Sequence, residues 1–437
     1  MTELSITTLH TSDADFERRF MDLITWNAGD MADIERRVAQ IIADVRQHGD
    51  RAVIDYTQRF DRITLTPEGM AFSEAELEDA LATVPHDVYQ ALELAAQRIY
   101  QFHSWQLPQM GIQEFMDASG TLLGQRVQAV KKAGLYVPGG LASYPSSVLM
   151  NAIPAKVAGV ETLIMVVPTP DNQVNPAILA AARLAGVDKI FRIGGAQAVA
   201  AMAYGTQQVP AVDMIVGPGN IYVATAKRQV YGQVGIDMIA GPSEILVIAD
   251  NQNDPKWIAA DLLSQAEHDR DAQSILVTDD ATFAEQVRLA IAEQLSHLSR
   301  SQIARQSIME RGGIIVVKDL DEGAKIASRV APEHLELAVA DPRTLMHKID
   351  HAGAIFMGRH TPEPIGDYVA GPNHVLPTNG TARFSSPLGV HNFIKRSSLI
   401  GCTARSFASI GPAASALAGS EGLTAHKLSV DLRLAKE

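Results

Sequence analysis

Leu135-Tyr136-Val137-Pro138-Gly139-Gly140 is an apolar run that breaks on a proline and two glycines, the pattern of a short strand entering a tight turn. A helix over about 146–158 follows, then the apolar strand Thr162-Leu163-Ile164-Met165-Val166-Val167. After a helix at 176–185 come Lys189-Ile190-Phe191-Arg192-Ile193 and the turn Gly194-Gly195-Ala196-Gln197. Met214-Ile215-Val216 repeats the pattern, with Gly217-Pro218-Gly219-Asn220 leading into a helix through Lys227. Strands separated by helices predict a parallel, doubly wound sheet with right-handed crossovers. Ligands of such sheets bind at the carboxyl ends of the strands, here Tyr136, Gly194-Gly195 and Gly217–Asn220. The glycines leave two readings open: tight packing turns, or backbone that lets a phosphate approach. Neither turn is a G-x-G-x-x-G dinucleotide fingerprint.

A second set of the same kind begins at Glu244-Ile245-Leu246-Val247-Ile248-Ala249-Asp250. Further strands are predicted at 274–278, 313–317, 335–339 and 354–357, with a long helix at 281–297. Upstream, residues 1–20 read as a polar arm. Apolar residues at helical spacing (Ile34, Val38, Ile41, Ile42, Val45) predict a helix from Met31 to about His48, and others follow at 74–83 and 85–103. Beyond about 378 the chain is rich in Gly, Ser and Ala, with a strand-like Leu428-Ser429-Val430-Asp431-Leu432 near its end. Such a tail lacks a core of its own and is expected to pack on another surface.

The chain's 437 residues allow about three domains. A content of 46% hydrophobic and 20% charged residues fits a globular protein with large aliphatic cores. The net charge of −13 argues against nucleic acid or an anionic membrane as partner. No apolar run is long enough to span a bilayer, and Met1-Thr2-Glu3-Leu4 lacks a signal-peptide pattern. The single cysteine, Cys402, excludes an intrachain disulfide and fits a reducing cytoplasm.

Chemistry concentrates in a few stretches. In Leu262-Leu263-Ser264-Gln265-Ala266-Glu267-His268-Asp269 an amphipathic helix would put Gln265 and His268 on one face, as half of a zinc site. Asp367 and His426 could complete a four-ligand N/O shell. Glu333 and His334, before a predicted strand, could be an acid–base pair. His374, in Gly371-Pro372-Asn373-His374, sits among other polar residues. Each of these residues also reads as an ordinary turn or surface group, so spacing alone leaves the site open.

Taken together, the ordered motifs resemble the histidinol dehydrogenase family from about Asp30 to Leu432. They are Tyr136–Gly140, Gly194–Ala198, Val216–Asn220, Ala240–Glu244, Ser264–Asp269, Ala331–Glu336, Gly366–Tyr368, Gly371–Pro377 and Leu423–His426. The resemblance implies a cytoplasmic homodimer that uses zinc (Zn2+) and NAD to oxidise L-histidinol to L-histidine through an aldehyde. It assigns Gln265, His268 and Asp367 as zinc ligands, with His426 supplied by the partner subunit. Glu333 and His334 match the catalytic pair. Ser243, His374 and Glu421 match substrate contacts, beside Gln265, His268, His334, Asp367 and His426. Tyr136, Gln197 and Asn220 match NAD contacts. Cys402 has no His or Lys within four residues and reads as structural rather than nucleophilic.

The expected fold is therefore α/β: two Rossmann-like, doubly wound parallel-sheet domains, a helical N-terminal region and a C-terminal dimerisation tail. The expected division is an arm at 1–20, a zinc-carrying catalytic domain from 21–130 and 238–378, an NAD domain at 131–237, and a tail at 379–437 reaching the partner. The alternatives are a relative acting on another small polar alcohol, and a zinc hydrolase.

Overall fold

Strand Glu244–Ala249 sends Ile245, Val247 and Ala249 into one buried cluster and Leu246 and Ile248 into another. Burial on both faces is what a strand covered by helices on each side requires, and it explains a run without polar alternation. This strand lies inside a six-stranded sheet in the order Thr7–His10, Gly313–Val316, Gln273–Thr278, Glu244–Ala249, His334–Ala338, Ala354–Met357. Every pairing in it is parallel. The computed structural model describes residues 5–25, 31–139 and 144–435, so Met1–Leu4 and Gly140 lie outside the described residues.

The second parallel sheet has five strands in the order Lys189–Phe191, Thr162–Val166, Lys132–Tyr136, Met214–Val216, Gly235–Ile236. It too is covered on both faces. Leu135, Leu163 and Met165 meet helices Pro145–Ala158 and Pro176–Leu184. Tyr136, Ile164 and Ile215 meet Gly195–Tyr204 and Ile221–Val230. An α/β fold with parallel sheets is thus observed.

Several expectations need correction. Residues 7–10 are an edge strand rather than a free arm, and helix Phe16–Ile24 buries Phe16, Phe20 and Leu23 beneath it. Four short residues sufficed because the neighbouring strand supplies the hydrogen bonds. The helices between 31 and 106 pack on the five-stranded sheet, not on the sheet of residues 238–378. Val38, Ile41, Ile42 and Val45 join one of its cores, and Leu77, Leu92 and Ile99 join the other. Residues 111–129 are an antiparallel pair, Gly111–Met116 and Leu122–Ala129, extended by Ile394–Gly401 from the tail. The strand-like 428–432 belongs to helix Thr424–Leu434, where Leu428 and Leu432 are one turn apart. Among the described residues no helix is long and apolar enough to cross a membrane.

Candidate active site

Helix Pro255–Ala266 begins where the Asp254 side chain accepts the Lys256 N–H and a proline occupies the first turn. Ile258, Leu262 and Leu263 bury against the six-stranded sheet, and Gln265 is fully enclosed. The helix stops at Ala266, so His268 lies in the turn beyond it rather than on the expected helical face. The two side chains still meet. His268 Nδ1–H donates to Gln265 Oε1 at 2.9 Å, while the Gln265 nitrogen donates to Glu363 Oε1 (3.2 Å) and the Glu244 carbonyl (3.3 Å). His268 Nε2 keeps its lone pair in that tautomer, and the amide oxygen keeps a second one. Burial lowers the His268 pKa against the pull of Asp367, which holds the ring neutral.

Helix Leu320–Val330 ends at Ala331, a non-glycine residue in the left-handed region. Glu333 and His334 follow at the start of strand His334–Ala338, both buried. Glu333 Oε2 accepts the Glu244 N–H from the adjacent strand at 2.9 Å. His334 Nδ1–H donates to the Glu244 carbonyl at 3.0 Å. Burial pushes the Glu333 carboxyl up to about 8, even against the opposing charge of His334. Burial alone would make His334 more acidic, but Glu363, Glu333 and Asp367 outweigh it and hold its pKa well above the usual range.

Asp367 sits in a π turn, Gly366–Ala370, that continues the short helix Glu363–Ile365. Wide turns of this kind recur at functional sites. Arg98 steadies the far side, donating to the Val369 carbonyl at 2.5 Å and the Ala370 carbonyl at 3.3 Å. Asp367 Oδ1 lies 3.5 Å from His334 Nε2. His334, Glu363 and Asp367 each offer a ligand atom within 4.8 Å of one another, a group able to hold a metal ion. Among the described residues, His334 Nε2, Glu363 Oε2 and Asp367 Oδ1 are buried without a hydrogen-bond partner. His374 Nδ1–H donates to the Asp367 carbonyl at 2.9 Å, and Ser147 Oγ donates to His374 Nε2 at 3.2 Å. Ser147 is in the first turn of helix Pro145–Ala158, so this link joins the cluster to the five-stranded sheet.

At the carboxyl edge of that sheet the Gly195 N–H donates to Tyr136 Oη at 3.0 Å. Burial pushes the Tyr136 phenol up to about 12, so it stays protonated and able to donate. Gln197, in the first turn of helix Gly195–Tyr204, is buried, and its Oε1 has no hydrogen-bond partner among the described residues. Asn220 is exposed and caps helix Ile221–Val230, its Oδ1 accepting the N–H groups of Tyr222 (3.1 Å) and Val223 (3.2 Å). Gly217 has φ +111° and lies against the Tyr136 carbonyl, so any side chain there would collide with it. Lys227 Nζ donates to the Gly217 carbonyl at 2.8 Å, and the Gly217 N–H donates to Asp237 Oδ2 at 2.8 Å. Lys227 and Asp237 also form a buried ion pair.

The two sheets therefore offer opposite edges. Tyr136, Gly195 and Gly217 stand at the carboxyl ends of the five-stranded sheet. Ser243, Glu244, Glu333 and His334 stand at the amino ends of the six-stranded one. Ser243 is half-buried, and its carbonyl accepts the Gln273 N–H at 2.9 Å.

The family profile Histidinol dehydrogenase matches residues 25–434. The chain is 60% identical over 427 residues to a histidinol dehydrogenase of Rhodospirillum rubrum, covering 98% of each chain. It is 56% identical over 434 residues to one of Pseudomonas aeruginosa, covering 99% of this chain and 98% of that one. The crystal structure of histidinol dehydrogenase from Elizabethkingia anophelis superposes with a TM-score of 0.92 at 36% identity, covering 100% of this chain and 99% of that chain.

The chain belongs to the histidinol dehydrogenase family. It is accordingly an oxidoreductase. Of the residues that the resemblance to histidinol dehydrogenases assigned, Gln265, His268, Glu333, His334, Asp367 and His374 converge through the contacts above. Glu421 and His426 do not join them within the chain: both are exposed on the helical hairpin Ala404–Ser420 and Thr424–Leu434. Cys402 is exposed just before that hairpin. The sequence reading missed Glu363, which is buried in Pro362-Glu363-Pro364-Ile365-Gly366-Asp367. Its signal was a carboxylate one helical turn before Asp367.

Proposed function

We propose that the chain catalyses the zinc-dependent, NAD-linked oxidation of L-histidinol through L-histidinal to L-histidine, the last step of histidine biosynthesis. The observation that carries this reading is the buried cluster of Gln265, His268, His334 and Asp367, where polar atoms stand unpartnered in the interior. An orphaned buried polar atom is costly, and a bound group that completes it removes the cost. The donor set of amide oxygen, neutral imidazole and carboxylate suits zinc.

Gln265, His268 and Asp367 would hold the metal, with His426 of the partner subunit as fourth ligand. Zinc in this position supplies a Lewis acid and a template for the substrate's imidazole and amine. Ser243, His374 and the partner subunit's Glu421 would complete the substrate's surroundings. Tyr136, Gln197 and Asn220 would bind NAD, which supplies the hydride acceptor, at the carboxyl edge of the 131–237 unit.

His334 spends its Nδ1–H on the Glu244 carbonyl, so Nε2 is the atom that would take the alcohol proton once a cation held by Asp367 offsets the carboxylates that raise the ring's pKa. Glu333, anchored by the Glu244 N–H and with its carboxyl pushed up to about 8, would in its ionised form, toward the alkaline side, take a proton from water adding to the aldehyde. Only the hydrated aldehyde carries a second hydride to give. The exposed Leu417, Leu428 and Leu432 of the terminal hairpin support a homodimer in which it packs on the partner.

The test is to add L-histidinol and NAD to the purified protein and follow NADH absorbance. The expected yield is about two NADH per histidinol consumed, one for each hydride. No NADH from histidinol with active, metal-loaded protein overturns the reading.

A further inference from the structure

Gly217 is the first residue after strand Met214–Val216, and both of its backbone groups have left the sheet ladder. Its N–H goes to Asp237 and its carbonyl to Lys227, at 2.8 Å each. Lys227 comes from the helix that the turn itself leads into, and Asp237 directly follows the edge strand Gly235–Ile236. The side chains of Lys227 and Asp237 are 2% and 0% exposed. Removing two ions from water is expensive, and apolar residues would fill the same space at less cost. What apolar residues could not do is fix both polar groups of Gly217.

The held turn is itself open: Pro218 and Gly219 are half-exposed and Asn220 is exposed. The buried pair thus immobilises a surface turn in the conformation that presents Asn220. On the reading that NAD occupies this edge, we infer that Lys227 and Asp237 are positioning residues for the dinucleotide. They pre-set the Gly217–Asn220 turn so that cofactor binding need not order it. Neither side chain touches the cofactor in this account; both act through Gly217.

The experiment compares Lys227→Met/Asp237→Leu, which replaces the pair by apolar groups, with Asp237→Asn, which keeps an acceptor for the Gly217 N–H. Melting temperature selects folded variants, and the KM for NAD is read against kcat and the KM for histidinol. The double variant should raise the NAD KM about tenfold or more, as loss of two hydrogen bonds to charged partners implies, with kcat far less affected. Asp237→Asn should recover part of the loss. A folded double variant with an unchanged NAD KM overturns the inference. Tyr136→Phe and Gln197→Ala separate the two levels. If these also leave the NAD KM alone, the placement of NAD at this edge fails; if they raise it and the pair variant does not, only the positioning role fails.

Should the double variant not fold, hydrogen exchange on the wild-type chain decides. The amides of Gly217, Tyr222 and Val223 should be protected before NAD is added and gain little on binding. Protection that appears only with NAD overturns a pre-set turn.

Discussion

His334 Nε2 and Asp367 Oδ1 face each other across 3.5 Å in the protein interior, and among the described residues neither has another hydrogen-bond partner. The other ring nitrogen of His334 is committed to the Glu244 carbonyl. At that distance the two make an ion pair, and the Asp367 carboxylate helps hold the ring's pKa well above its usual range. Asp367 is thus kept as a buried carboxylate beside Gln265 and His268, where a metal ion could bind it.

If zinc binds there, purified protein should contain about one zinc per chain, as a single four-ligand shell implies. His268→Ala removes the ring whose Nε2 lone pair is left to coordinate a metal, and should lose both metal and turnover. Metal content by elemental analysis, read beside NADH formation, checks this. A zinc-free His268→Ala protein with full activity would refute the assignment.

The two half-reactions should separate Glu333 from His334. Glu333→Gln keeps an oxygen for the Glu244 N–H but cannot take a proton, so oxidation of supplied histidinal should fall by about 10²-fold or more. Oxidation of histidinol to the aldehyde level should fall less. His334→Asn should damage both steps, since each releases a proton. Equal losses in both half-reactions for Glu333→Gln contradict this division of labour.

The parallel architecture was legible because strands buried on both faces, such as Glu244–Ala249 and Thr162–Val166, read as unbroken apolar runs. The sheet of Gly111–Met116, Leu122–Ala129 and Ile394–Gly401 was not. Its first strand is nearly all exposed, so no hydrophobic period marks it, and its third comes from far along the chain. The stretch 428–432 misled because apolar residues two apart fit a strand and residues four apart fit a helix. Gln265 and His268 were paired correctly on a spacing argument whose premise fails, since the helix ends between them. Glu363 and the Lys227–Asp237 clamp escaped because a lone buried charge leaves no periodic trace, and only the fold shows what it faces.

Stability should fall on the acid side through His103. The ring is buried in helix His86–Gln106, with Nδ1–H donating to the Ile99 carbonyl at 2.8 Å. Burial lowers its pKa below the ordinary 6.5, outweighing the bonds to the Ile99 and Leu388 backbone that raise it. The unfolded chain therefore binds this proton more readily than the folded one. The neutral-ring contribution is complete above the unfolded value and is lost as pH falls through it toward the depressed folded value. His103→Leu removes the titration. The stability gap between wild type and His103→Leu, measured by denaturant melts at about pH 8 and about pH 5.5, should shrink at the lower pH. A gap independent of pH would exclude this linkage.

The terminal hairpin should act in trans. Helix Thr424–Leu434 buries none of its residues, and Ala404–Ser420 buries only Ser406, Gly411 and Ser415. Leu417, Leu428 and Leu432 are left exposed, which an isolated chain would not favour. Glu421 and His426 are exposed on the same hairpin, while the cluster around Asp367 is made by other parts of the chain. If the hairpin crosses to the partner subunit, each site draws His334 from one chain and His426 from the other. Inactive His426→Ala and inactive His334→Asn proteins are then mixed under conditions that let subunits exchange. In each mixed dimer one site collects both lesions, and the other has neither. Activity should return to at most about half of the wild-type value per mixed dimer, by the symmetry of the two sites. Exchange demonstrated by mass-tagged subunits, with no return of activity, would mean that His426 serves its own chain.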